Sequence, residues 1–307
     1  MKKLIIFICL FLIILGLGGS FYFWYFWKKI PLKPTNILIL GIGGENHPGK
    51  DLTDTIIFIS LNPSAKNILL LSIPRDIWIP QWRIKINSVY HYKGLQETKN
   101  TIEEIIGQKP DYGIIVDFNI FKKIIDFLGG IEVDVERSFD DYKYPIAGKE
   151  NDLCNGDPEF KCRYEHVHFE AGKQLMDGET ALKFVRSRNA SGEEGTDFAR
   201  AQRQQKVILA IKNKILSFEF LSSPRKVIQL IKLINLNIKT DIPPQDYWQL
   251  LKLGITIKNK NIKTAILNDQ FLINPKNKEK YDNQWVLIPK KEDWQDVKKY
   301  VNELLNN

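Results

Sequence analysis

The sequence NILILGIG at residues 36–43 is an uninterrupted apolar run of the kind that a strand buried on both faces requires. Two further runs follow, TIIFISLN at residues 55–62 and NILLLSIPRD at residues 67–76. The stretch YGIIVDFNIFKKIIDFLGGIEVDVE at residues 112–136 indicates a strand, a helix over 118–128 that two glycines end, and another strand. This alternation predicts an α/β fold, a three-layer α/β/α sandwich with a central mixed β-sheet.

The start of the chain predicts a transmembrane helix. Residues 4–27 contain no charged side chain, and such a length suffices to cross a hydrocarbon core of about 30 Å. Aromatic side chains crowd residues 21–27, as is typical of a membrane–water interface. A cleaved signal peptide is the alternative, although no convincing small-x-small cleavage site precedes Lys28. We expect an anchor and short linker at residues 1–34 and one domain at residues 35–307.

Two cysteines outside this segment indicate the compartment of the domain. Cys154 and Cys162 flank a stretch rich in turn-forming residues, NGDP at 155–158, as expected at the tip of a loop closed by a disulfide. A disulfide implies an oxidising, extracytosolic environment. The alternative is a metal site built from both cysteines with His166 and His168. We favour the disulfide, with the N-terminus of the chain in the cytoplasm.

A helix that carries arginines on its inward face is predicted by TDFARAQRQQK at residues 196–206. Thr196 is suited to cap it and Asp197 to its first turn. At about 100° per residue, its apolar stripe is continued by three polar side chains, namely Arg200, Arg203 and Gln204. The opposite, polar face is formed by Gln202, Gln205, Lys206 and Asn213. Guanidinium groups on an inward face need an anionic partner, because burying an unpaired charge is very unfavourable.

Two more arginines precede this helix. In ALKFVRSRN at residues 181–189, a strand with its period of two would place Arg186 and Arg188 on one face. Four arginines exceed what Asp197 can neutralise, and phosphate or pyrophosphate matches their forked donors best. A structural network of ion pairs remains the alternative.

Charge and one misleading motif narrow the class of ligand. The formal net charge of +8 favours acidic partners, but no nucleic-acid-binding signature accompanies it, and we expect no nucleic acid. GENHPGKD at residues 44–51 begins like a nucleotide-binding P-loop, yet Asp51 stands where Ser or Thr should hold magnesium. Pro48 also removes a backbone donor from the loop. A nucleoside triphosphatase is therefore not expected, although Glu45, Asp51 and Asp54 lie at a strand end, where α/β folds bind ligands.

Several stretches follow one another in the order found in the LytR-CpsA-Psr family, and the chain resembles that family on this basis. They are residues 52–80, KINSVY at 85–90, residues 116–135, AGKQLMDGETALKFVRSR at 171–188 and DFARAQRQQKVI at 197–208. The resemblance implies a membrane-anchored, extracytosolic, Mg2+-dependent phosphotransferase. Such an enzyme moves an anionic glycopolymer, for example teichoic acid or capsule, from a polyprenyl-pyrophosphate carrier to peptidoglycan during cell-wall assembly.

The resemblance also implies roles for individual residues. Asp54 corresponds to a magnesium ligand. The pyrophosphate-binding set corresponds to Arg75, Lys85, Arg186, Arg188, Arg200, Arg203 and Gln204. The catalytic group comprises Arg75 and Arg200 together with Asp76 and Asp197, and either of these two carboxylates is a candidate for accepting the proton of the incoming hydroxyl.

The chain departs from the family pattern at two positions. Gly43 stands where the family commonly has a second metal-binding aspartate, and Leu52 stands where it commonly has an arginine. Glu45 or Asp51, on the same loop as Gly43, could replace the missing carboxylate, since magnesium needs only one or two carboxylates besides phosphate oxygens and water.

Two other functions use the same features. A membrane-tethered module could bind or regulate wall polymer without turning it over, but it would need surface lysines and no convergent arginine pocket. A polyprenyl-pyrophosphate hydrolase would use the same residues with water as acceptor. The sequence indicates neither the oligomeric state nor which polymer is carried.

Overall fold

The computed structural model describes residues 25, 27–45, 47–64, 67–257 and 261–306. Most of the predicted anchor lies outside these described residues. Within them, no helix combines the length and the apolar character needed to cross a membrane.

The described residues form both strands and helices. The strands are β1 (Thr35–Ile42), β2 (Thr53–Asn62), β3 (Asn67–Ser72), β4 (Trp78–Ile79), β5 (Ile84–Lys85), β6 (Tyr112–Asp117), β7 (Ile131–Val135), β8 (Phe139–Pro145), β9 (Tyr164–Phe169), β10 (Gly172–Met176), β11 (Lys239–Thr240), β12 (Asn261–Ile266), β13 (Leu272–Ile273) and β14 (Ile288–Pro289). The α-helices are α1 (Val89–Ile106), α2 (Phe118–Phe127), α3 (Gly178–Arg186), α4 (Asp197–Ile215), α5 (Phe218–Leu221), α6 (Pro224–Asn237), α7 (Tyr247–Thr256) and α8 (Gln295–Asn306).

The central sheet has six strands in the order β11-β6-β1-β2-β3-β12. Strand β1 pairs in parallel with β6 and antiparallel with β2, and β3 pairs antiparallel with β2 and in parallel with β12. The predicted central mixed sheet is confirmed.

Side chains of β3 alternate between two hydrophobic clusters. Leu69 and Leu71 belong to a cluster that includes Ile102 of α1 and Val301 of α8. Ile68 and Leu70 belong to another cluster with α4 and α7. Because neighbouring strand residues point to opposite faces, helices cover the sheet on both sides.

A third cluster forms beside the sheet. It joins α2, α3, α4 and α6 to the strands β7 to β10, and aromatic rings lie at its centre. The rings of Phe139, Phe169 and Phe184 are 5.1 to 6.1 Å apart. This packing holds α3 and the start of α4 next to the central sheet.

The ends of several strands meet at one edge of the sheet. Ile42, at the end of β1, pairs with Asp117 at the end of β6 and with Thr53 at the start of β2. Strand β3 runs in the same direction as β1, because both are antiparallel to β2. The loops after β1, β3 and β6 therefore lie at this edge with the first residues of β2, and this edge carries the candidate site.

The strand predicted over residues 181–189 is wrong, because these residues form most of helix α3. The Asp177 side chain accepts a hydrogen bond from the N–H of Thr180, which caps the helix. Leu182 and Val185 are buried at helical spacing.

The cap that was predicted for α4 is confirmed, since Thr196 Oγ1 accepts a hydrogen bond from the N–H of Ala199 at 3.1 Å.

The prediction that Gln205 lies on a polar face is also wrong. Its Nε2 donates to Ser72 Oγ and to the carbonyl of Ala265, each at 2.9 Å, and to the carbonyl of Leu70 at 3.4 Å. Helix α4 lies between two clusters, with Val207 in one and Ile208 in the other. Because α4 is buried on two sides, a single apolar stripe describes it poorly.

We predict that Gln205→Ala lowers the free energy of unfolding by about 1–3 kcal/mol, because it removes a donor from buried acceptors. Gln202→Ala, on the exposed side of the same helix, is the matched control and should change it by less than about 0.5 kcal/mol. Urea unfolding measures both. Equal losses in the two variants would contradict the assignment of Gln205 as a bridge between helix and sheet.

Candidate functional site

A chain of ion pairs links the first residues of β2 to the turn after β3. Arg75 Nη1 donates to Asp54 Oδ1 at 2.6 Å, and Arg75 Nε lies 3.5 Å from Asp76 Oδ2. Lys85 Nζ donates to the other oxygen of Asp76 at 2.8 Å. Asp76 is buried and contacts two cations. Its position suits the orientation of Arg75 and Lys85 better than the acceptance of a substrate proton.

Arg75 is held from both its backbone and its side chain. Its carbonyl accepts the N–H of Asn87 at 3.2 Å. Burial acts to lower the pKa of the Arg75 guanidinium, but the Asp54 carboxylate outweighs it and raises the pKa above its usual value. The Nε atom is buried without a hydrogen-bond partner. Arg75 therefore remains charged and keeps a donor that the protein does not use.

Arg200 reaches the same place from the first turn of α4. Only 12% of its side chain is exposed, and its Nη2 lies 3.1 Å from Asp197 Oδ1. Burial lowers the pKa of the Arg200 guanidinium; Asp197 and Asp54 oppose this shift, whereas Arg75 and Arg188 add to it. Each of these four charges acts on Arg200, and two of them, Arg75 and Asp54, are paired with each other at 2.6 Å. The guanidinium of Arg200 therefore lies within electrostatic reach of Arg75 and Arg188.

Arg186 and Arg188 approach from the end of α3 instead of from a strand. Arg186 Nη1 donates to the Tyr144 hydroxyl at 3.1 Å, and its guanidinium lies 4.4 Å from the centre of the Phe118 ring. The backbone N–H of Arg188 donates to the buried Asp141 carboxylate at 3.2 Å, and the residue itself is exposed. The backbone of Arg188 is fixed by this hydrogen bond, while its side chain remains exposed to solvent.

Arg203 does not join them, although the resemblance assigns it to pyrophosphate binding. Its side chain is 4% exposed and pairs with Glu194 at 2.8 Å. Its other donors go to the carbonyls of Phe184, Ser187 and Glu194. All three nitrogens of the guanidinium are engaged within the protein, so Arg203 ties the start of α4 to the end of α3. Gln204, its half-buried neighbour, is placed beside Arg200 on the helix.

The two loop carboxylates do not accompany Asp54. Glu45 is 86% exposed and its nearest cation is Lys50 at 3.7 Å. Asp51 lies 3.6 Å from His91. Neither forms a contact with Arg75 or Arg200 among the described residues, so neither of these two carboxylates takes the position that Gly43 leaves without one.

The side chain that fills the space beside Gly43 is His47, which the sequence interpretation missed. A Cβ added at Gly43 would lie 2.6 Å from the Cβ and Nδ1 of His47. Burial and then Arg186 lower the pKa of the imidazole, against an opposite effect of Asp54. The sequence signal that could have indicated this contact is a glycine at the end of a strand, followed four residues later by a histidine on the same loop.

The magnesium site that the resemblance implies has a small donor set in this chain. Among the described residues, the one group of three close metal-ligating side chains is Asp152, Cys154 and Cys162. Its cysteines form a disulfide, with their Cα atoms 5.5 Å apart, and the predicted pairing is confirmed. His166 and His168, the other ligands of the alternative metal site, both hydrogen-bond to Asp140 instead. Asp54 alone is compatible with a Mg2+ ion held mainly by phosphate oxygens and water.

The arrangement has more positive than negative charge. The cations are Arg75, Lys85, Arg186, Arg188 and Arg200, and the carboxylates are Asp54, Asp76, Glu150 and Asp197. The excess positive charge lies at one sheet edge, on partly buried forked donors. Such donors match phosphate geometry and stabilise charge that develops during a reaction.

Comparison with known proteins identifies relatives in sequence and in fold. TagU of Bacillus licheniformis, named a polyisoprenyl-teichoic acid–peptidoglycan teichoic acid transferase, is 29% identical over 245 residues, covering 78% of this chain and 71% of the relative. The crystal structure of B. subtilis TagV matches with a TM-score of 0.64 and 27% identity over 90% of this chain and 98% of that chain.

A structure of TagT bound to LIIa-WTA shares the fold, with a TM-score of 0.60 at 23% identity over 89% of this chain and 91% of that chain. The LytR_cpsA_psr family matches residues 28–303, which is most of the chain. The protein is therefore a member of the LytR_cpsA_psr family.

Proposed function

We propose that the protein transfers an anionic glycopolymer from a polyprenyl-pyrophosphate carrier to peptidoglycan and leaves a phosphodiester link. The observation that carries the proposal is the position of Arg200, which is largely buried beside Asp197 and lies within electrostatic reach of Arg188 and of the ion pair between Arg75 and Asp54. The name of the B. licheniformis relative supports teichoic acid as the class of polymer.

In this reaction a hydroxyl oxygen of peptidoglycan attacks the phosphorus that carries the polymer. The bond between that phosphorus and the bridging oxygen breaks, and the polyprenyl phosphate leaves. Arg75 and Arg200 offset the negative charge that grows on the leaving phosphate, which is where preorganised donors contribute most.

Asp197 is the better placed of the two candidate bases. Its carboxylate is 59% exposed and forms its ion pair with Arg200 among the described residues, whereas Asp76 is buried against Arg75 and Lys85. An exposed carboxylate can take the proton of the incoming hydroxyl and pass it to solvent, so we assign this role to Asp197.

Magnesium is part of the proposal. Asp54 is the residue that would hold the ion, through the carboxylate oxygen that Arg75 does not use. When bound, Mg2+ would neutralise part of the pyrophosphate charge. Asp54 has a second role without the ion, because it orients Arg75.

We also propose that residues 1–34 anchor the chain in the cell membrane, with the N-terminus cytoplasmic and residues 35–307 outside. The contacts of Lys252 on α7 support this, since its Nζ donates to the carbonyls of Trp27 and Ile30, each at 2.7 Å. The end of the apolar stretch is thereby tied to the domain. The disulfide between Cys154 and Cys162 agrees with an oxidising compartment.

The reaction can be tested by incubating the full chain in detergent with a synthetic polyprenyl-pyrophosphate oligosaccharide, Mg2+ and peptidoglycan fragments. We expect a product in which the oligosaccharide is joined to peptidoglycan through a phosphodiester, identified by mass spectrometry. Release of the oligosaccharide phosphate without transfer would identify a hydrolase, and binding without turnover a binding module. Either outcome would contradict the proposed transferase.

Two arginines one helical turn apart should behave in opposite ways. Arg200→Ala should lower turnover about a hundredfold or more, because a donor to the leaving phosphate is lost, and should leave the free energy of unfolding within about 1 kcal/mol. Arg203→Ala should lower that free energy by about 3 kcal/mol, because it leaves buried partners unpaired. Turnover assays and urea unfolding of both variants distinguish a substrate-binding arginine from a structural one. A large loss of stability in Arg200→Ala alone would assign Arg200 to a structural network.

The compartment can be tested by labelling thiols in the intact chain expressed in bacterial membranes, before and after reduction. We expect Cys154 and Cys162 to react with a maleimide only after reduction. Two freely reactive thiols in residues 35–307 without reduction would contradict the extracytosolic location.

A further inference from the structure

The loop after β1 folds back on itself and places a histidine next to Gly43. The N–H of Gly44 donates to the carbonyl of Lys50 at 2.9 Å, and the N–H of His47 donates to the carbonyl of Gly44 at 3.0 Å. Any side chain at position 43 would overlap the imidazole, since even a Cβ would lie 2.6 Å from His47 Nδ1. The His47 side chain thus occupies the space that a side chain at position 43 would need.

The hydrogen bonding of the ring fixes its tautomer. The N–H of Gly49 donates to His47 Nδ1 at 3.2 Å. A backbone N–H can only donate, so Nδ1 must accept and the proton of the neutral ring must lie on Nε2. In this state Nε2 is a hydrogen-bond donor, and it has no lone pair for a metal ion.

The ring also faces the charged groups of the site. It contacts Phe118 edge to face, with ring centres 5.5 Å apart, and the guanidinium of Arg186 lies 4.4 Å from the same Phe118 ring. The charges of Arg186 and Asp54 both act on the imidazole. His47 therefore shares the Phe118 ring with Arg186, and the charges of Asp54 and Glu150 also reach its imidazole.

We propose that His47 is a substrate-binding residue whose Nε2–H donates to a non-bridging oxygen of the pyrophosphate. This inference rests on the proposed function and deepens it. A carboxylate beside the pyrophosphate repels it unless a cation lies between them, whereas a neutral donor attracts it directly. The pair of Gly43 and His47 thus makes pyrophosphate binding less dependent on Mg2+ than a carboxylate at position 43 would.

The test is a calorimetric titration of the full chain in detergent with geranyl pyrophosphate, once with EDTA and once with Mg2+. With EDTA, His47→Ala should raise the Kd about tenfold or more, since hydrogen bonds to charged groups are worth about 1.5–3 kcal/mol. His47→Gln, which keeps an N–H donor, should recover part of this loss. His91→Ala, an exposed histidine beside Asp51, is the matched control and should bind like the unchanged protein.

A double variant tests the link to the metal. Gly43→Asp/His47→Ala exchanges the donor for a carboxylate and removes the overlap. Its Kd should rise by more than that of His47→Ala with EDTA and fall strongly when Mg2+ is added. Thermal unfolding of each variant checks that the fold is kept.

Equal Kd values for His47→Ala and His91→Ala, with no greater effect of Mg2+ on the double variant, would overturn the inference. Arg200→Ala in the same titration separates this failure from that of the proposed function. If Arg200→Ala weakens binding and His47→Ala does not, only the role of His47 is wrong. If neither weakens binding, the pyrophosphate site itself is misplaced.

Discussion

The ion pair between Asp54 and Arg75 is the contact on which the site depends. It joins the first residues of β2 to the turn after β3, two strands that are neighbours in the central sheet. Because β2 is antiparallel to both of its neighbours, its start lies beside the ends of β1 and β3. The sheet topology therefore brings together side chains that are far apart in sequence, and Asp54 positions a guanidinium that Asp76 also contacts.

Helix α4 shows that arginines in one motif can have different physical roles. Arg200 keeps one exposed carboxylate as its partner, while Arg203 gives all its donors to carbonyls and to Glu194. The second arrangement fixes α4 against the end of α3, which in turn places Arg186 and Arg188. Arg203 thus acts as a structural arginine that holds in place the arginines proposed to bind the ligand, so the structural interpretation applies to Arg203 and the proposed binding role to the others.

Much of the fold could be predicted because buried strands produce long apolar runs, and β1, β2, β3 and β6 all have them. The cap of α4 and the disulfide could also be predicted, since both depend on local chemistry. Residues 181–189 could not, because a short helix capped by Asp177 has the same apolar content as a strand. The burial of Gln205 depends on a helix held between two clusters, which is a tertiary property. The position of His47 could not be predicted, because this side chain fills the volume that the missing side chain of Gly43 leaves empty.

The central claim is that convergent arginines at this sheet edge bind the pyrophosphate of a lipid carrier. The most direct measurement is a crystal structure of the protein with geranyl pyrophosphate bound. The account predicts density for the pyrophosphate within hydrogen-bonding distance of Arg75, Arg188 and Arg200, with Arg203 still bound to its carbonyls. A pyrophosphate bound elsewhere, with Arg75 and Arg200 still paired only with Asp54 and Asp197, would contradict it.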